Sequence, residues 1–276
     1  MSLFLCYFNE PKAVIRLLIY MTLEIINMDK KVPGISTPPP PEINADEFVK
    51  VVESRRSVRR FTDEPVPDEI VNKCLDLAML APNSCNLQPW EFYWIKDKDV
   101  RDKIVTACMS QNAAKTSQQL IAVVARTDTW RKHCIQQIEQ WPDGNMPKLV
   151  EDFYRKIAPF QYYQGPFDIF GTIRKALFSV VGLTRPVPRG PNSKHEMETW
   201  AVKSTALAAE NLMLAFRAYG YDTCPMEGFD AVRANKALKI PKDGQIIMFI
   251  AVGKRADNGI YNSRLRFSRD EFIKLV

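Results

Sequence analysis

The chain has 276 residues, of which 46% are hydrophobic and 25% are charged, an ordinary composition for a globular protein of one large domain or two small ones. Its 38 basic and 32 acidic side chains leave a formal net charge of +6, which is spread along the chain rather than gathered in a tail. Because no helix-turn-helix, zinc-finger or aromatic-basic signature accompanies this charge, it favours small anionic ligands, and we expect no nucleic-acid partner.

The first 42 residues differ from the rest and are predicted to form a poorly ordered N-terminal extension and spacer. Residues 1–26 are apolar and aromatic, but Lys12, Arg16 and Glu24 interrupt them, so no uncharged run approaches the ~20 residues of a membrane span. The stretch also lacks the small-residue cleavage site of a secretory signal. We therefore expect no membrane partner.

A more polar stretch begins at Met28, and the prolines at 38–41 predict a stiff polyproline spacer. One hypothesis is that Met28 is the natural start and that the preceding residues are an upstream extension. An intact mass that includes Met1 would contradict it.

Two amphipathic helices are predicted at the start of the folded region, which we expect to run from residue 43 to residue 276 as one domain. Asn44 and Glu47 have the spacing of a helix N-terminal capping pair. The apolar stripe behind them comprises Phe48, Val51 and Val52. A second helix is predicted between Pro67 and Pro82. Its apolar face comprises Ile70, Val71, Cys74, Leu75, Ala78 and Met79.

Three strands and a long helix are predicted further along the chain. Residues 91–96 and 245–252 are predicted strands, the second of them central, and the apolar run 120–125 is typical of a buried strand. The long helix is predicted from Trp200 to Tyr219 and ends before Gly220. Its apolar positions are Val202, Ala206, Ala209, Met213 and Phe216. This alternation of helices and apolar strands indicates an α/β or α+β fold.

Residues 130–199 are rich in proline, aromatic residues and arginine, with weak periodicity. We expect a helical and loop excursion that is able to cover a site. Its aromatic side chains could stack on an aromatic ligand or form the core of the excursion, and the sequence leaves both alternatives open.

The cysteine and histidine content argues against several kinds of site. The six cysteines are scattered without a CxxC pair, which predicts reduced thiols of a cytoplasmic protein rather than a disulfide framework or a zinc site. The two histidines are His133 and His195, and for each we expect an ordinary surface or helix role. We therefore predict no metal centre.

A dense basic cluster, RRSVRRF, occupies residues 55–61 and packs four cations and a hydroxyl into six positions. Like charges this close repel one another, and a fold tolerates them most easily around an anion, so the cluster predicts a site for the terminal phosphate of a cofactor. A solvated basic turn is the alternative. Neither GxGxxG after a strand nor GxxxxGK[ST] is present, so side chains would have to hold the phosphate.

Two further motifs are predicted loops. In APNSCNLQPW, at residues 81–90, two prolines bracket small polar side chains that could present hydrogen-bonding groups to a planar ring; a capped helix end before a strand is the alternative. Cys85 lies there without a partner base, so we predict no nucleophile. In CPMEGFD, at residues 224–230, a tight loop could point N–H groups into a cavity, and Asp230 could cap the next helix; a simple turn is the alternative.

In this order and spacing, these three motifs, the alanine-rich helix WAVKSTALAAENLMLAFRAYG and the closing IAVGKR and NSRLRF resemble the nitroreductase family of FMN-dependent flavoenzymes. The resemblance covers about residues 43–276. It implies an α+β fold, with a mixed sheet flanked by helices, in an intertwined homodimer with FMN sites at the interface. It also implies ping-pong hydride transfer from NADH or NADPH through FMN to a small electron-poor acceptor such as a nitroarene or a quinone.

The resemblance also implies which residues hold FMN. Arg55 and Ser57 would contact the phosphate and ribityl end, and Arg56 would contribute near the ring or through its backbone. Arg59 would lie near flavin N1 and O2, where the charge of the reduced flavin develops. Arg264 would complete the phosphate clamp, and the weaker candidates for this task are Lys254 and Arg255.

At the ring, the Glu227 N–H would donate to flavin N5 and Gly228 would approach O4. Pro225 and Met226 would line the ring face. The residues that would reach FMN from the partner subunit are Pro82, Asn83, Ser84 and Asn86. The residues that would address the pyrimidine edge are Asn112 and Lys115.

Two other functions stay open. The motif RRSVR also resembles the related deiodinases and dehalogenases, and turnover of a halotyrosine with inactivity on nitroarenes would indicate that branch. A non-catalytic flavin-binding protein would hold FMN but oxidise no NAD(P)H with any acceptor.

Overall fold

The computed structural model of the chain describes Gly34 and residues 37–276. The apolar stretch 1–26 and the hypothesis about Met28 lie outside the described residues. The prolines at 38–41 are exposed and have no regular secondary structure. No helix in the described part of the chain has both the length and the apolarity needed to cross a bilayer.

The chain divides into two compact units. The first, which we call the sheet unit, comprises residues 44–81, 90–124 and 206–276. The second, the helical unit, comprises residues 82–89 and 125–205. The predicted organisation as one domain with an excursion stays a prediction.

The strands are β1 Trp90–Trp94, β2 Gln119–Arg126, β3 Asp222–Met226 and β4 Gly244–Gly253, in the spatial order β1-β2-β4-β3. The three predicted strands are confirmed, and β4 lies inside the sheet as expected. Strand β3 corrects the sequence analysis, which placed Cys224, Pro225 and Met226 in a loop. They pair antiparallel with β4, from Asp222 opposite Gly253 to Met226 opposite Phe249. Proline is tolerated because β3 is an edge strand, where the N–H that proline lacks is not needed for hydrogen bonds between strands.

Two apolar cores form because the side chains of the inner strands alternate between faces. Leu120, Ala122, Phe249 and Ala251 belong to one core. Their sequence neighbours Ile121, Val123, Ile250 and Val252 belong to the other, against the long helix at Leu212 and Phe216. This arrangement confirms the predicted mixed fold of a sheet flanked by helices.

The helices of the sheet unit include α1 Ala45–Ser54, α2 Asp68–Met79, α3 Lys98–Ala107 and α4 Asn112–Thr116. Asn44 caps α1, because its Oδ1 accepts from the N–H groups of Asp46 and Glu47 at 3.0 and 3.4 Å. The stripe predicted behind this cap is not buried within the described chain: Phe48 and Val52 are 58% and 45% exposed.

The apolar face of α2 is confirmed for Val71, Cys74 and Ala78, which are buried. The prediction was wrong for Met79, which is 48% exposed at the last position of the helix.

Residues 130–199 form helices and loops, as expected, whereas their role as a cover over a site stays a prediction. The helical unit contains α5 Trp130–Glu139, α6 Lys148–Asp152, a π-helical turn Phe153–Ile157, α7 Ala158–Tyr162 and α8 Ile169–Val181. Loops join these helices.

The long helix α9 runs over Lys194–Ala218, so it begins before the predicted Trp200. Its start is a reciprocal cap that the sequence analysis missed. The Ser193 Oγ accepts from the Glu196 N–H at 3.1 Å, and the Glu196 Oε2 accepts from the Asn192 N–H at 2.7 Å.

Two short helices complete the sheet unit, α10 Ala231–Leu238 and α11 Arg269–Phe272. Asp230 caps α10 as predicted, because its Oδ1 accepts from the Arg233 N–H at 3.0 Å.

Candidate functional site

The basic segment 55–61 follows α1 and is held to the sheet unit by its backbone. The Val58 N–H donates to the Thr223 carbonyl at 3.0 Å, and the Arg59 N–H donates to the Gly259 carbonyl at 2.6 Å. Val58 and Phe61 are buried, whereas Ser57, Arg59 and Arg60 are exposed. The two apolar residues therefore anchor the segment and leave its polar side chains available to a ligand.

Phe61 explains the glycine of the IAVGKR motif. A Cβ at Gly253 would come within 2.9 Å of the Phe61 side chain, closer than real Cβ contacts allow. Any other residue at this position would push the basic segment away from β4.

Arg264, which lies 209 residues after Arg55 in the chain, contacts the same segment. Its Nη2 donates to the Glu53 carbonyl at 2.6 Å and to the Arg55 carbonyl at 2.7 Å. Arg56 makes the complementary contact, since its Nη2 donates to the Asn262 carbonyl at 2.5 Å. The Nε of Arg55 lies 3.7 Å from a carboxylate oxygen of Glu210 on α9. The structure thus brings Arg264 to the backbone of the segment that carries Arg55 and Arg56, and their role as a phosphate clamp stays a prediction.

A cavity of about 640 Å³ opens beside these arginines. Its lining residues are Glu53, Ser54, Arg56, Arg217, Arg255 and Arg264. The sequence analysis missed Arg217 and its partner Asp222, although opposite charges flanking the Gly220 turn were a signal that could have found them.

Asp222 holds two of the lining guanidinium groups. Its Oδ1 accepts from Arg217 Nη1 at 2.9 Å and from Arg255 Nη2 at 2.6 Å. Arg255 is therefore already bound to a buried carboxylate. The other weak candidate, Lys254, has its ammonium 4.6 Å from the centroid of the Tyr221 ring and 3.9 Å from Glu64.

The end of β3 carries the predicted ring-binding residues. Met226 is buried in the core and Pro225 is half-buried, whereas Glu227 and Gly228 are exposed beyond the strand. The Gly228 carbonyl accepts from Gln111 Nε2 at 2.8 Å. Within the described residues, the N–H groups of Glu227 and Gly228 donate to no acceptor, so both are free for a ligand.

Helix α4 places the predicted pair Asn112 and Lys115 in the sheet unit. Asn112 Nδ2 lies 2.9 Å from the Tyr261 hydroxyl, and the Lys115 side chain is exposed. The Asn112 amide, together with the charges of Arg60 and Arg59, lowers the pKa of the Tyr261 hydroxyl. Tyr261 was not predicted, because it lies in a closing segment without periodicity.

The loop with Pro82, Asn83, Ser84 and Asn86 belongs to the helical unit, whereas the arginines belong to the sheet unit. Asn83 Oδ1 accepts from the Gln88 N–H at 2.8 Å, and the Ser84 Oγ lies 3.2 Å from the Tyr162 hydroxyl. The Asn86 carbonyl accepts from Gln137 Nε2 at 2.7 Å.

This loop is strained as well as braced. Cys85, Asn86 and Gln88 have φ values of 58°, 48° and 43°, a left-handed conformation that non-glycine residues adopt at a cost. Backbone strain of this kind is typical of functional segments. A cavity of about 610 Å³ lies beside the loop, and its walls include Ser84, Cys85, Tyr162 and Trp200.

The described cysteines are free thiols, as predicted. Burial raises the pKa of Cys74, Cys108 and Cys134 to about 12, so these thiols are unreactive near neutral pH. Cys85 is the one described cysteine that is not fully buried. In the described part of the chain, no cluster of three or more His, Cys, Asp or Glu residues is placed to hold a metal ion.

Comparisons with known proteins agree with this architecture. The protein DrgA from Synechocystis is 29% identical over 206 residues, which cover 74% of this chain and 82% of DrgA. The Bacillus subtilis protein YdgI, provisionally named an NAD(P)H nitroreductase, is 27% identical over 226 residues, which cover 81% of this chain and 95% of YdgI.

A solved structure from Exiguobacterium sibiricum, of a protein provisionally named a nitroreductase and in complex with FMN, is 25% identical with a TM-score of 0.61. The match covers 87% of this chain and 100% of that chain. The model of the nitroreductase family matches residues 52–254, which is more than half of the chain. The chain therefore belongs to the nitroreductase family.

Proposed function

We propose that this protein is an FMN-dependent oxidoreductase that uses NADH or NADPH to reduce small electron-poor acceptors such as nitroarenes or quinones, as a cytoplasmic homodimer. The observation that carries the proposal is the convergence of Arg264 on the Arg55 backbone, with hydrogen bonds of 2.6 and 2.7 Å to the Glu53 and Arg55 carbonyls. It gathers guanidinium groups from both ends of the folded chain at one place.

The donor set at this place suits a phosphate monoester. Arg55, Arg56 and Arg264 offer guanidinium forks that match phosphate oxygens, and the exposed Ser57 hydroxyl adds a neutral donor. These residues would hold the phosphate and ribityl end of FMN. The contacts of Arg56 and Arg264 with carbonyl oxygens use only Nη2 of each side chain and leave further guanidinium N–H groups for the ligand.

The ring would lie against the end of β3, with its face lined by Pro225 and by the backbone of Met226, whose side chain is buried in the core. There the free N–H groups of Glu227 and Gly228 would donate to flavin N5 and O4. Arg59 is exposed, so its charge could stabilise the negative charge that develops at N1 and O2. Asn112 and Lys115 would complete the pyrimidine edge with hydrogen bonds that fix the orientation of the ring.

FMN, when bound, supplies a two-electron carrier that NAD(P)H reduces and the acceptor reoxidises in a ping-pong sequence. The protein residues bind, orient and stabilise charge, and no protein acid or base is required, because protons can come from water. YdgI is named for NAD(P)H and the Exiguobacterium sibiricum structure contains FMN, which supports this choice of reductant and cofactor.

The loop of the helical unit would serve the site from the partner subunit. Pro82, Asn83, Ser84 and Asn86 lie on a segment whose left-handed residues and side-chain braces fix its shape before any ligand arrives. A loop fixed in this way can contact a ring without a further loss of conformational entropy.

The visible spectrum of the purified protein tests the proposal. Flavin bands at about 370 and about 450 nm are expected. They should bleach on anaerobic addition of NADH or NADPH and return on addition of menadione or p-nitrobenzoate. Material that is colourless, monomeric and unable to take up FMN would refute the proposal.

The same preparation separates the two alternatives. Flavin that binds but is not reduced by NADH or NADPH would indicate a flavin-binding protein. Turnover of a halotyrosine, together with inactivity on nitroarenes, would indicate a dehalogenase.

A further inference from the structure

The carboxylate of Asp222 is the most heavily used acceptor beside the arginine-lined cavity. Its side chain is 6% exposed and accepts from Arg217 Nη1 at 2.9 Å. Arg255 binds it with two nitrogens, Nε at 3.2 Å and Nη2 at 2.6 Å. A buried carboxylate that accepts such a fork fixes the orientation of the guanidinium plane as well as its position.

Asp222 also connects the two backbones that hold the basic segment 55–61. On one side, its neighbour Thr223 accepts from the Val58 N–H at 3.0 Å and pairs with Ser57. On the other side, Arg255 pairs with Phe61, and the Ala256 N–H donates to the Arg60 carbonyl at 3.1 Å. The basic segment therefore lies between the backbone at Thr223 and the backbone at residues 255–256. The contact between the Asp222 and Arg255 side chains joins these two backbones.

The same contact reaches the end of α1. Arg255 Nη2 lies 3.5 Å from the Ser54 carbonyl, next to the two carbonyls that Arg264 binds. The guanidinium groups of Arg56, Arg255 and Arg264 line one cavity. A change in the position of Arg255 is thus expected to change the separation of the arginines that face a phosphate.

We propose that Asp222 is a positioning residue, which sets the geometry of the phosphate-binding arginines through Arg255. This inference rests on the proposed function, because it takes the phosphate of FMN as the ligand. A purely electrostatic role of Asp222 and a positioning role predict opposite effects of its removal on phosphate binding. Asp222 is an acid beside an anion site, so as a mere charge it would weaken phosphate binding, and its removal would strengthen it. As a positioning residue, it strengthens phosphate binding, and its removal weakens it.

The experiment compares FMN with riboflavin, which lacks the phosphate. The full-length chain, freed of flavin, is titrated with each compound, and the quenching of flavin fluorescence gives both dissociation constants. The variant is Asp222→Asn, and the matched control is Asp76→Asn, which removes the same charge from an exposed position on α2. We expect Asp222→Asn to lower the preference for FMN over riboflavin by about ten-fold or more, with riboflavin affinity within about two-fold of wild type. The control should behave as wild type.

Three results would overturn the inference: an unchanged preference for FMN, a stronger binding of FMN, or an equal loss of affinity for both compounds. The last of these would mean a merely structural role. If Asp222→Asn does not fold, Asp222→Glu provides the test, because it keeps the negative charge but shifts the carboxylate that holds Arg255, and it should lower the same preference. Wild-type protein that binds neither compound would instead refute the proposed function.

Discussion

Arg174 offers the clearest test of how the helical unit is held together. It lies on α8, is 2% exposed and donates to no carboxylate among the residues that the structure describes. Its guanidinium donates five hydrogen bonds at 2.5 to 3.1 Å to neutral oxygens. Those oxygens belong to Phe160, Tyr163, Gln164, Pro191 and Asn192. One side chain therefore ties two loops to α8.

The perturbation is Arg174→Met, which keeps the apolar stem and removes every donor. A hydrogen bond from a charged group contributes about 1.5 kcal/mol or more, so five of them amount to roughly 7 kcal/mol. Burial lowers the pKa of Arg174 to about 10 from its ordinary value of 12.5, because desolvation disfavours the charged guanidinium. Relief of that desolvation cost offsets part of the loss. We expect the free energy of unfolding to fall by about 4 kcal/mol.

Urea unfolding followed by near-ultraviolet circular dichroism measures this change, because the aromatic residues of the helical unit report on its packing. The matched control is Lys175→Met, the same kind of substitution at the next position of α8, where the side chain is exposed. It should stay within about 0.5 kcal/mol of wild type. A decrease in the free energy of unfolding of less than about 1 kcal/mol for Arg174→Met would contradict the prediction. It would show that the five hydrogen bonds are no stronger than the hydrogen bonds to water that they replace.

Four further predictions concern the site, a helix end and two of the thiols. Arg55→Ala should weaken FMN binding by on the order of 1.5–3 kcal/mol, because it removes a charge-assisted phosphate contact; fluorescence titration measures this, and an unchanged affinity would contradict the placement of the phosphate. Ser193→Ala should lower the free energy of unfolding by about 1 kcal/mol through loss of the cap on α9, and Ser193→Asp should restore it in the same urea assay. Iodoacetamide at pH 8 should modify Cys85 ahead of the other described cysteines, as peptide mass mapping can check, because the others are buried. Burial raises the pKa of Cys108 from 9.0 to about 12 and so favours the neutral thiol in the folded state; this stabilisation is complete below pH 9.0 and is lost as the pH rises toward 12. Unfolding curves of Cys108→Ala should therefore depend less steeply on pH between 9.0 and about 12 than those of wild type.

Local chemistry was sufficient to predict many elements. Asn44 and Asp230 are caps whose side chains bond N–H groups two or three residues away, so a short window of sequence contains the whole interaction. The apolar runs in β2 and β4 are equally local signals, since a strand buried on both faces needs apolar residues at every position. The order of the motifs was enough to identify the family, because their joint occurrence is far more specific than any one of them.

The errors and omissions arose where a tertiary contact or an unfavourable local composition overrode the local signal. Pro225 disfavours a strand locally, because proline has no backbone N–H to donate. Strand β3 still forms because it lies at the edge of the sheet, where one side of the strand needs no partner. The early start of α9 depends on a reciprocal cap between Asn192, Ser193 and Glu196 inside a proline-rich stretch that masks it.

By itself, the sequence determined β1, β2 and β4, the caps at Asn44 and Asp230 and the basic segment, because each depends on residues close together in the chain. Only the tertiary structure decided which charges meet. Arg255 lies 33 residues from Asp222, and Arg264 lies 209 residues from the Arg55 carbonyl. No local propensity encodes such pairings, because they depend on which strands lie next to each other in the sheet and on which carboxylates are buried away from water.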